Sequence, residues 1–241
     1  MTKIPLNINC DVGEGFNNES KILPLISYCN IACGGHAGDA QSMENVTRLA
    51  LENNVKIGAH PSYPDRKNFG RQRIEINLDD LQQSIVEQIE SLNEIVSKQY
   101  GKLYHVKPHG ALYNDACKTN TIANVVVNAI IQVDADLVLM VPENSIIAAV
   151  AKEKNLEVLP EAFGDRNYNE DLSLVSRNEK NALITAPEEI YNHIQNMITN
   201  RTVRSITGKQ MPIHAKTFCI HGDTTGAIEI LNSLYNLSTQ S

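Results

Sequence analysis

The sequence predicts an α/β protein whose parallel strands close into a seven-stranded β/α barrel, an irregular form of the TIM barrel. Short apolar segments with strand propensity alternate with amphipathic segments along the chain, which is the pattern of a parallel sheet covered by helices. Polar clusters follow six of the seven apolar segments. An open sheet brings its loops together only at a switch point, whereas a closed barrel brings them all to one end, the mouth.

The first predicted strand has one polar face. Asn7, Asn9 and Asp11 alternate with apolar residues, and such a face is poor core material unless it lines a polar site. The glycines on either side of Glu14 allow a sharp bend that would turn its carboxylate back over the mouth. The seven predicted strands span residues 5–10, 26–32, 55–59, 103–106, 137–141, 156–159 and 217–220.

The clearest helix is predicted over residues 78–100, where apolar residues recur every three or four positions. Asn77 is placed to cap its N-terminus. Another helix is predicted to begin at Thr185, because Thr185 and Glu188 have the spacing of a capping box. Weaker patterns predict helices over residues 39–53, 119–133, 143–154 and 224–237.

Residues 1–241 are predicted to form a single β/α-barrel domain. A chain of 241 residues fits one large domain. No repeat and no linker rich in proline or serine interrupts the alternating pattern.

Composition excludes two classes of partner. The formal net charge is −7 and no basic stripe occurs, which argues against nucleic acid and anionic membranes. No apolar run approaches the ~18 residues of a membrane span, and no signal-peptide leader is visible. The five cysteines include no CxxC pair, which favours reduced thiols and a cytoplasmic location. A homo-oligomer is compatible with the sequence.

The polar clusters hold residue types suited to acid–base chemistry and anion binding. Four of the seven histidines lie just after predicted strands. One such histidine is usually structural, whereas four at equivalent positions favour a shared site, since imidazole exchanges protons near neutral pH and binds metals. The candidate site residues are Asn9, Asp11, Glu14, His36, His60, Arg66, Arg71, Lys107, His109, Asp165, Arg166, His221 and Asp223.

Several candidates have structural alternatives. Lys107 could stabilise an oxyanion or simply bridge acids of neighbouring strands. Arg66 and Arg71 suit a bidentate grip on carboxylate or phosphate, but a solvated basic loop is an equal alternative. Asp165 and Arg166 could form no more than a salt bridge.

No metal motif and no nucleotide-binding loop occurs. HxH and HExxH are absent, although Asp11, His60 and one further histidine could hold a hard or borderline ion. The Walker motif GxxxxGK[ST] is also absent, so any ATP used is not bound by that loop.

Six polar segments are spread over nearly the whole chain: NCDVGEGF at 9–16, NIACGGHAGD at 30–39, GAHPSYPDR at 58–66, VKPHGALYN at 106–114, GDRNY at 164–168 and CIHGDT at 219–224. Together these segments resemble the LamB/YcsF family. Two glycines depart from the family pattern: Gly35 replaces a usual aromatic residue, which could widen the pocket or loosen its loop, and Gly164 replaces a usual alanine.

The resemblance implies a barrel similar to that of glycoside hydrolases and polysaccharide deacetylases. It also implies ATP-dependent opening of 5-oxo-L-proline to L-glutamate by a 5-oxoprolinase, in which this chain acts with B and C subunits. ATP would then be a co-substrate bound mainly by those partner subunits, and the presence of a metal stays open. Two alternatives are a metal-dependent amide hydrolase or deacetylase, and a non-catalytic lactam-binding subunit.

For the lactam reaction, four residues are expected to act on the reacting groups. Asp11 or His60 is expected to be the general base for water. Lys107 and His109 are expected to stabilise developing negative charge.

The other candidates are expected to bind substrate or move protons. Arg66 or Arg166 would grip a carboxylate or phosphate, and His221 with Asp223 would form a coupled proton-handling pair. The remaining expected substrate-binding residues are Asn9, Glu14, His36, Arg71 and Asp165.

Overall fold

Strands and helices alternate through residues 6–224 and 226–239, which are the residues that the computed structural model describes. The strands are β1 (Ile8–Val12), β2 (Tyr28–Ala32), β3 (Lys56–His60), β4 (Leu103–Val106), β5 (Val138–Val141), β6 (Val158–Phe163), β7 (Thr202–Arg204), β8 (Gln210–Pro212) and β9 (Thr217–Cys219). The helices are α1 (Glu19–Ile22), α2 (Ala40–Glu52), α3 (Leu78–Lys98), α4 (Gly110–Lys118), α5 (Asn120–Val133), α6 (Ile146–Glu153), α7 (Pro187–Asn200) and α8 (Ala227–Thr239).

Strands β1 to β6 and β9 close into a parallel barrel, in which β9 pairs with both β6 and β1. This confirms the predicted fold class. Pro5, at the start of the first predicted strand, lies outside the described residues. Strand β6 continues to Phe163, beyond the predicted end at residue 159, so Glu161 lies within the strand.

The helix predicted after Asn77 is α3, and the Asn77 side chain caps it by accepting the backbone N–H of Asp79 at 2.8 Å. The capping box predicted at Thr185 is wrong. Helix α7 begins at Pro187, directly after Ala186, and has no side-chain cap. Proline has the fixed φ angle of a first helical residue, so the helix begins there without one.

The inside of the barrel has an apolar layer and a polar layer. Leu159 precedes Glu161 by two residues in β6, so both side chains point inward, with Glu161 nearer the mouth. The polar layer therefore lies at the carboxyl ends of the strands. The apolar layer beneath it consists of Tyr28, Val138, Met140 and Leu159.

The outward faces of the strands pack against the helices in the main hydrophobic core. In α3, for example, Leu81, Ile85, Ile89 and Leu92 are fully buried, which is the stripe that its sequence pattern predicts. No helix in the described part of the chain is long and apolar enough to cross a membrane.

Candidate active site at the barrel mouth

The polar face of β1 points into the barrel. Asn9 is fully buried; its Nδ2 donates to Oγ1 of Thr217 at 3.1 Å, and its Oδ1 accepts from Nδ2 of Asn30 at 2.9 Å. These bonds occupy Asn9 inside the protein, so the substrate-binding role expected for it does not fit. Asn7 is exposed and donates to the carbonyl of Lys216, so the polar interior begins at Asn9.

Lys107 is the buried cation of the site. Its Nζ lies 3.0 Å from Oδ1 of Asp11, 2.9 Å from Oε1 of Glu161, 3.2 Å from Oδ1 of Asn9 and 3.2 Å from Sγ of Cys219. Although burial disfavours the charged form, these neighbours raise the pKa of Lys107 well above its usual value. An ammonium has three N–H groups, and all are taken. Lys107 therefore bridges acids of neighbouring strands, which was the alternative to its expected role in stabilising an oxyanion.

Asp11 is an ionised acid at the mouth. Its Oδ1 accepts from Lys107 and, at 2.8 Å, from Nδ2 of Asn30, while its Oδ2 lies 3.4 Å from Nε2 of His60. Although burial disfavours ionisation, the neighbouring His60 and Lys107 hold the pKa of Asp11 well below its usual range. Oδ2 is thus the carboxylate oxygen that Lys107 and Asn30 leave available to accept a proton.

Glu14, His36, His60 and His109 form what we call the imidazole cluster. One donor atom from each lies within 4.8 Å of the others. Oε1 of Glu14 lies 2.9 Å from Nε2 of His36, 3.4 Å from Nδ1 of His109 and 3.9 Å from Nε2 of His60. All three rings are buried. The structure therefore brings together three of the four histidines predicted to share a site.

Backbone carbonyls fix the tautomers of two of these rings. Nδ1 of His60 lies 2.7 Å from the carbonyl oxygen of Lys107, and Nε2 of His109 lies 2.9 Å from that of Phe69. A carbonyl oxygen only accepts, so these nitrogens carry the protons. The other two nitrogens, Nε2 of His60 and Nδ1 of His109, face each other at 2.9 Å.

The three rings differ in proton affinity. Burial, reinforced by the proximity of His60, lowers the pKa of His36 to about 2 and that of His109 to about 3. Although burial also opposes protonation of His60, the Asp11 carboxylate raises the pKa of His60. His109 is thus a neutral ring whose N–H is already donated to a carbonyl, and the expected role in stabilising negative charge does not fit it.

His221 pairs with Asp165, not with Asp223 as predicted. The fully buried Asp165 accepts from Nδ1 of the His221 ring at 2.9 Å and from the His221 backbone N–H at 3.0 Å. Although burial opposes ionisation, His221 holds the pKa of Asp165 below its usual value. Asp165 was expected to bind substrate. Its carboxylate is instead engaged within the protein by His221.

Asp223 instead lies between two arginines. Its Oδ2 accepts from Nη2 of Arg71 at 2.9 Å and from Nη1 of Arg177 at 3.3 Å. Its Oδ1 is buried and has no hydrogen-bond partner among the described residues. Arg177 was not predicted, since it lies in the long segment between β6 and α7 with no motif around it. These two guanidinium groups and one carboxylate together carry one net positive charge.

The other two predicted arginines hold loops in place. Nη1 of Arg66 donates to the carbonyls of Gly34 at 3.0 Å and Gly38 at 2.8 Å. Nη2 of the buried Arg166 donates to the carbonyl of Val175 at 2.6 Å. Arg66 and Arg166 were predicted to bind a substrate anion. Their guanidinium groups instead bind backbone carbonyls, so that prediction does not fit either residue.

Two buried polar residues of the interior were missed as site candidates. Oε2 of Glu161 accepts a hydrogen bond from the hydroxyl of Tyr113 at 2.9 Å, while its Oε1 is the oxygen that pairs with Lys107. Nε2 of His105 lies 2.7 Å from Oδ1 of Asn30. A Cβ at Gly58 would overlap the His105 ring, so the glycine within β3 was the sequence signal for this close approach.

Neighbouring side chains fill the space beside both glycines that depart from the family pattern. A Cβ at Gly35 would overlap the amide of Gln88, which is bonded to both backbone polar groups of Ser62. Gly35 therefore does not by itself widen the pocket. A Cβ at Gly164 would lie 2.7 Å from Cδ1 of Ile194, so this isoleucine occupies the position that an alanine methyl would need.

Residues 6–241 match the profile of the LamB/YcsF family. The chain belongs to the LamB/YcsF family. This LamB/YcsF chain is 39% identical over 236 residues to the A subunit of 5-oxoprolinase from Bacillus thuringiensis subsp. konkukian, covering 95% of this chain and 93% of the relative. It is 38% identical over 224 residues to the A subunit of 5-oxoprolinase from Haemophilus influenzae, covering 93% of this chain and 91% of the relative.

A solved structure agrees with the family fold. The crystal structure of the lactam utilization protein from Thermus thermophilus superposes on this LamB/YcsF chain with a TM-score of 0.91 at 31% sequence identity. The match covers 97% of this chain and 95% of that one. The site described above thus lies on a barrel shared along nearly its whole length.

Proposed function

We propose that this chain is the A subunit of a 5-oxoprolinase, which acts with B and C subunits to hydrolyse 5-oxo-L-proline to L-glutamate with consumption of ATP. The observation that carries the proposal is the 38–39% identity, over more than nine-tenths of the chain, to relatives named as the A subunit of 5-oxoprolinase. The likeness to a lactam utilization protein supports the same substrate class.

The polar groups at the mouth suit this substrate. 5-Oxoproline carries a carboxylate anion beside its lactam nitrogen. Arg71 and Arg177 offer partly exposed guanidinium groups to that anion. The arginine pair thus matches the charged group of the ligand.

Asp11 is the proton acceptor for the attacking water in this proposal. Its Oδ1 is fixed by Lys107 and Asn30, and its Oδ2, 3.4 Å from Nε2 of His60, is not engaged by either of them. Because the pKa of Asp11 is held low, it is available as a base at every pH near neutrality, although a weak base gains little driving force for proton transfer. Lys107 and Glu161 position it rather than touching substrate.

ATP is needed because an unstrained lactam resists water and the closed ring is favoured over glutamate. Transfer of the terminal phosphoryl group of ATP to the lactam oxygen makes the ring carbon electrophilic and releases ADP. Water then adds to that carbon and the ring C–N bond breaks as the nitrogen takes a proton, which leaves γ-glutamyl phosphate. A second water hydrolyses this acyl phosphate to L-glutamate and phosphate. The chain lacks a Walker loop, so we assign phosphoryl transfer mainly to the partner subunits.

The proposal is tested by reconstitution. The chain alone, the B and C subunits alone and the complete mixture are assayed for ADP and glutamate release from 5-oxoproline. We expect both products, in equal amounts, only from the complete mixture with ATP. Glutamate release by the chain alone without ATP would contradict the proposal and favour the metal-dependent amide hydrolase. Full turnover by the B and C subunits without this chain would also contradict it.

A further inference from the structure

We propose that the imidazole cluster binds one divalent metal ion of the zinc type, with Glu14, His36, His60 and His109 as its ligands. The proposal goes beyond the lactam reaction and does not depend on it. Three imidazole nitrogens and one carboxylate oxygen are a donor set that borderline ions such as Zn²⁺ and Co²⁺ prefer. Asp11, considered as a ligand from the sequence, is not required, because the four donor atoms of the cluster already complete a tetrahedral set.

The spacing of the donor atoms matches a tetrahedral ion. With metal–ligand distances of about 2.0–2.2 Å, the ligand atoms of a tetrahedral site lie about 3.3–3.5 Å apart. Four of the six separations here are 2.9, 3.4 and 3.9 Å from Oε1 of Glu14 to the three rings, and 2.9 Å between His60 and His109. The other two, from His36 to His60 and to His109, are within 4.8 Å. Adjustments of about half an ångström in the first four, and of at most ~1.5 Å at His36, would place all four atoms on one ion.

The two facing nitrogens supply the strongest argument. Nε2 of His60 and Nδ1 of His109 lie 2.9 Å apart, and the opposite nitrogen of each ring donates to a backbone carbonyl. Both facing atoms therefore present lone pairs to each other, which is unfavourable unless a cation lies between them. Donation from the far nitrogen to a carbonyl is also how metal-bound histidines are oriented in proteins.

The cluster is held in shape before any ion arrives. The rings of His36 and His109 stack at 3.6 Å with 2° between their planes, and Phe69 packs against both. Gly70 follows with a φ of +61°, and a Cβ there would lie 3.0 Å from Cβ of His36 and 3.0 Å from Cδ2 of His109. Glycine thus allows this loop to close directly over the ligands.

A proton is the rival to a metal ion. One proton added to His60 would also separate the two lone pairs, and the carboxylate of Asp11 at 3.4 Å would compensate its charge. A proton, however, engages only His60 and His109. Glu14 and His36 would then need a separate hydrogen bond, at 2.9 Å between Oε1 and Nε2, whereas one metal ion accounts for the convergence of all four donor atoms. The four-residue geometry therefore favours the metal.

The test is metal binding by the isolated full chain, without substrate. Metal is removed with a chelator, retention of fold is checked by circular dichroism, and Zn²⁺ is titrated against a chromogenic competitor. We expect one ion per chain. Glu14→Ala and His36→Ala should each weaken binding by ~100-fold or more, since even loss of an outer hydrogen-bond partner costs ~10–100-fold. His221→Ala, which removes an imidazole of the same mouth outside the cluster, should bind as the wild type does.

Co²⁺ provides a readout that requires no variant. Bound at the cluster, it should show the intense visible absorption of a four-coordinate site, whereas adventitious Co²⁺ on surface groups gives the weak spectrum of a six-coordinate ion. Folded wild-type chain that takes up no stoichiometric Zn²⁺, or a weak six-coordinate spectrum, would overturn the proposal. Wild-type affinity in folded Glu14→Ala and His36→Ala would overturn it as well.

Discussion

Nζ of Lys107 lies 3.0 Å from Oδ1 of Asp11 inside the barrel, although 96 positions separate the two residues in the sequence. The same ammonium lies 2.9 Å from Oε1 of Glu161. One cation and two carboxylates thus share an interior with little access to water. Charges buried together in this way are costly to separate, and this makes the group a sensitive point for stability as well as for chemistry.

Replacing Lys107 should strongly destabilise the fold. Lys107→Met leaves the carboxylates of Asp11 and Glu161 unpaired in the barrel, and loss of one partner of a buried pair costs about 3–5 kcal/mol. Urea unfolding at neutral pH measures the loss. Lys98→Met is the control, because Lys98 pairs with Glu94 at the surface, and its stability should be unchanged. Equal stability of the two variants would show that the buried pairing contributes nothing.

Asp165→Asn should lower stability in a pH-dependent way. The pKa of Asp165 is depressed in the folded chain, so its contribution is present above the unfolded carboxyl pKa of about 3.9 and is lost as the pH falls through the folded pKa. We expect a deficit of about 1.5–3 kcal/mol at pH 7, the worth of a hydrogen bond to a charged group. Urea unfolding from pH 7 to pH 3 should show the deficit narrowing below about pH 4; a deficit constant with pH would contradict the assignment.

Removing an arginine at Asp223 should weaken substrate binding more than turnover. Arg71→Ala and Arg177→Ala each delete one guanidinium at the mouth, and loss of a bond worth about 1.4 kcal/mol raises KM about tenfold. Because this contact is made equally in the ground and transition states, kcat should change little. Steady-state kinetics of the reconstituted enzyme measure both. Arg48→Ala, whose guanidinium bonds Glu52 at the surface, is the control, and an unchanged KM in both test variants would exclude the proposed anion site.

Gly164→Ala should destabilise this chain, even though alanine is usual at that position in the family. The new methyl would lie 2.7 Å from Cδ1 of Ile194 and 2.9 Å from Cδ1 of Ile220, and overpacking of a core costs about 1–3 kcal/mol. Ile194→Val, which removes the nearer methyl, should recover stability in the double variant. Thermal unfolding of the four chains gives the interaction energy. Simple additivity would show that the two positions do not compete for the same space.

The barrel was predictable from sequence because each strand and helix carries its own local pattern. Alternating apolar segments predict β1 to β6 and β9. The apolar stripe after Asn77, together with the Asn77 cap, predicts α3. The hairpin of β7 and β8 was missed, since each strand has only three residues and, unlike the fully buried β9, includes exposed polar ones. Helix α4 was missed because it begins within the polar cluster after β4.

The site was predictable in position but not in pairing. Residues just after parallel strands meet at one mouth whatever their partners are, so Asp11, His60 and His109 converge as expected. The acid that pairs with His221 is Asp165, which lies 56 positions away in the sequence and reaches it through the geometry of the loops. Proximity in sequence wrongly favoured Asp223. The interior ammonium bonds of Lys107 likewise follow from the barrel's curvature, which no local pattern encodes.

The most direct test of the account is the rate of ATP-coupled glutamate formation by the reconstituted enzyme carrying Asp11→Asn. Asparagine keeps the shape of Asp11 but removes the proton acceptor, so we expect the rate to fall by ~10²–10⁴, the usual contribution of a general base. Asp136→Asn, an exposed change far from the barrel interior, should have no effect. A rate near that of the wild type for folded Asp11→Asn would contradict the assignment of the chemistry to this mouth.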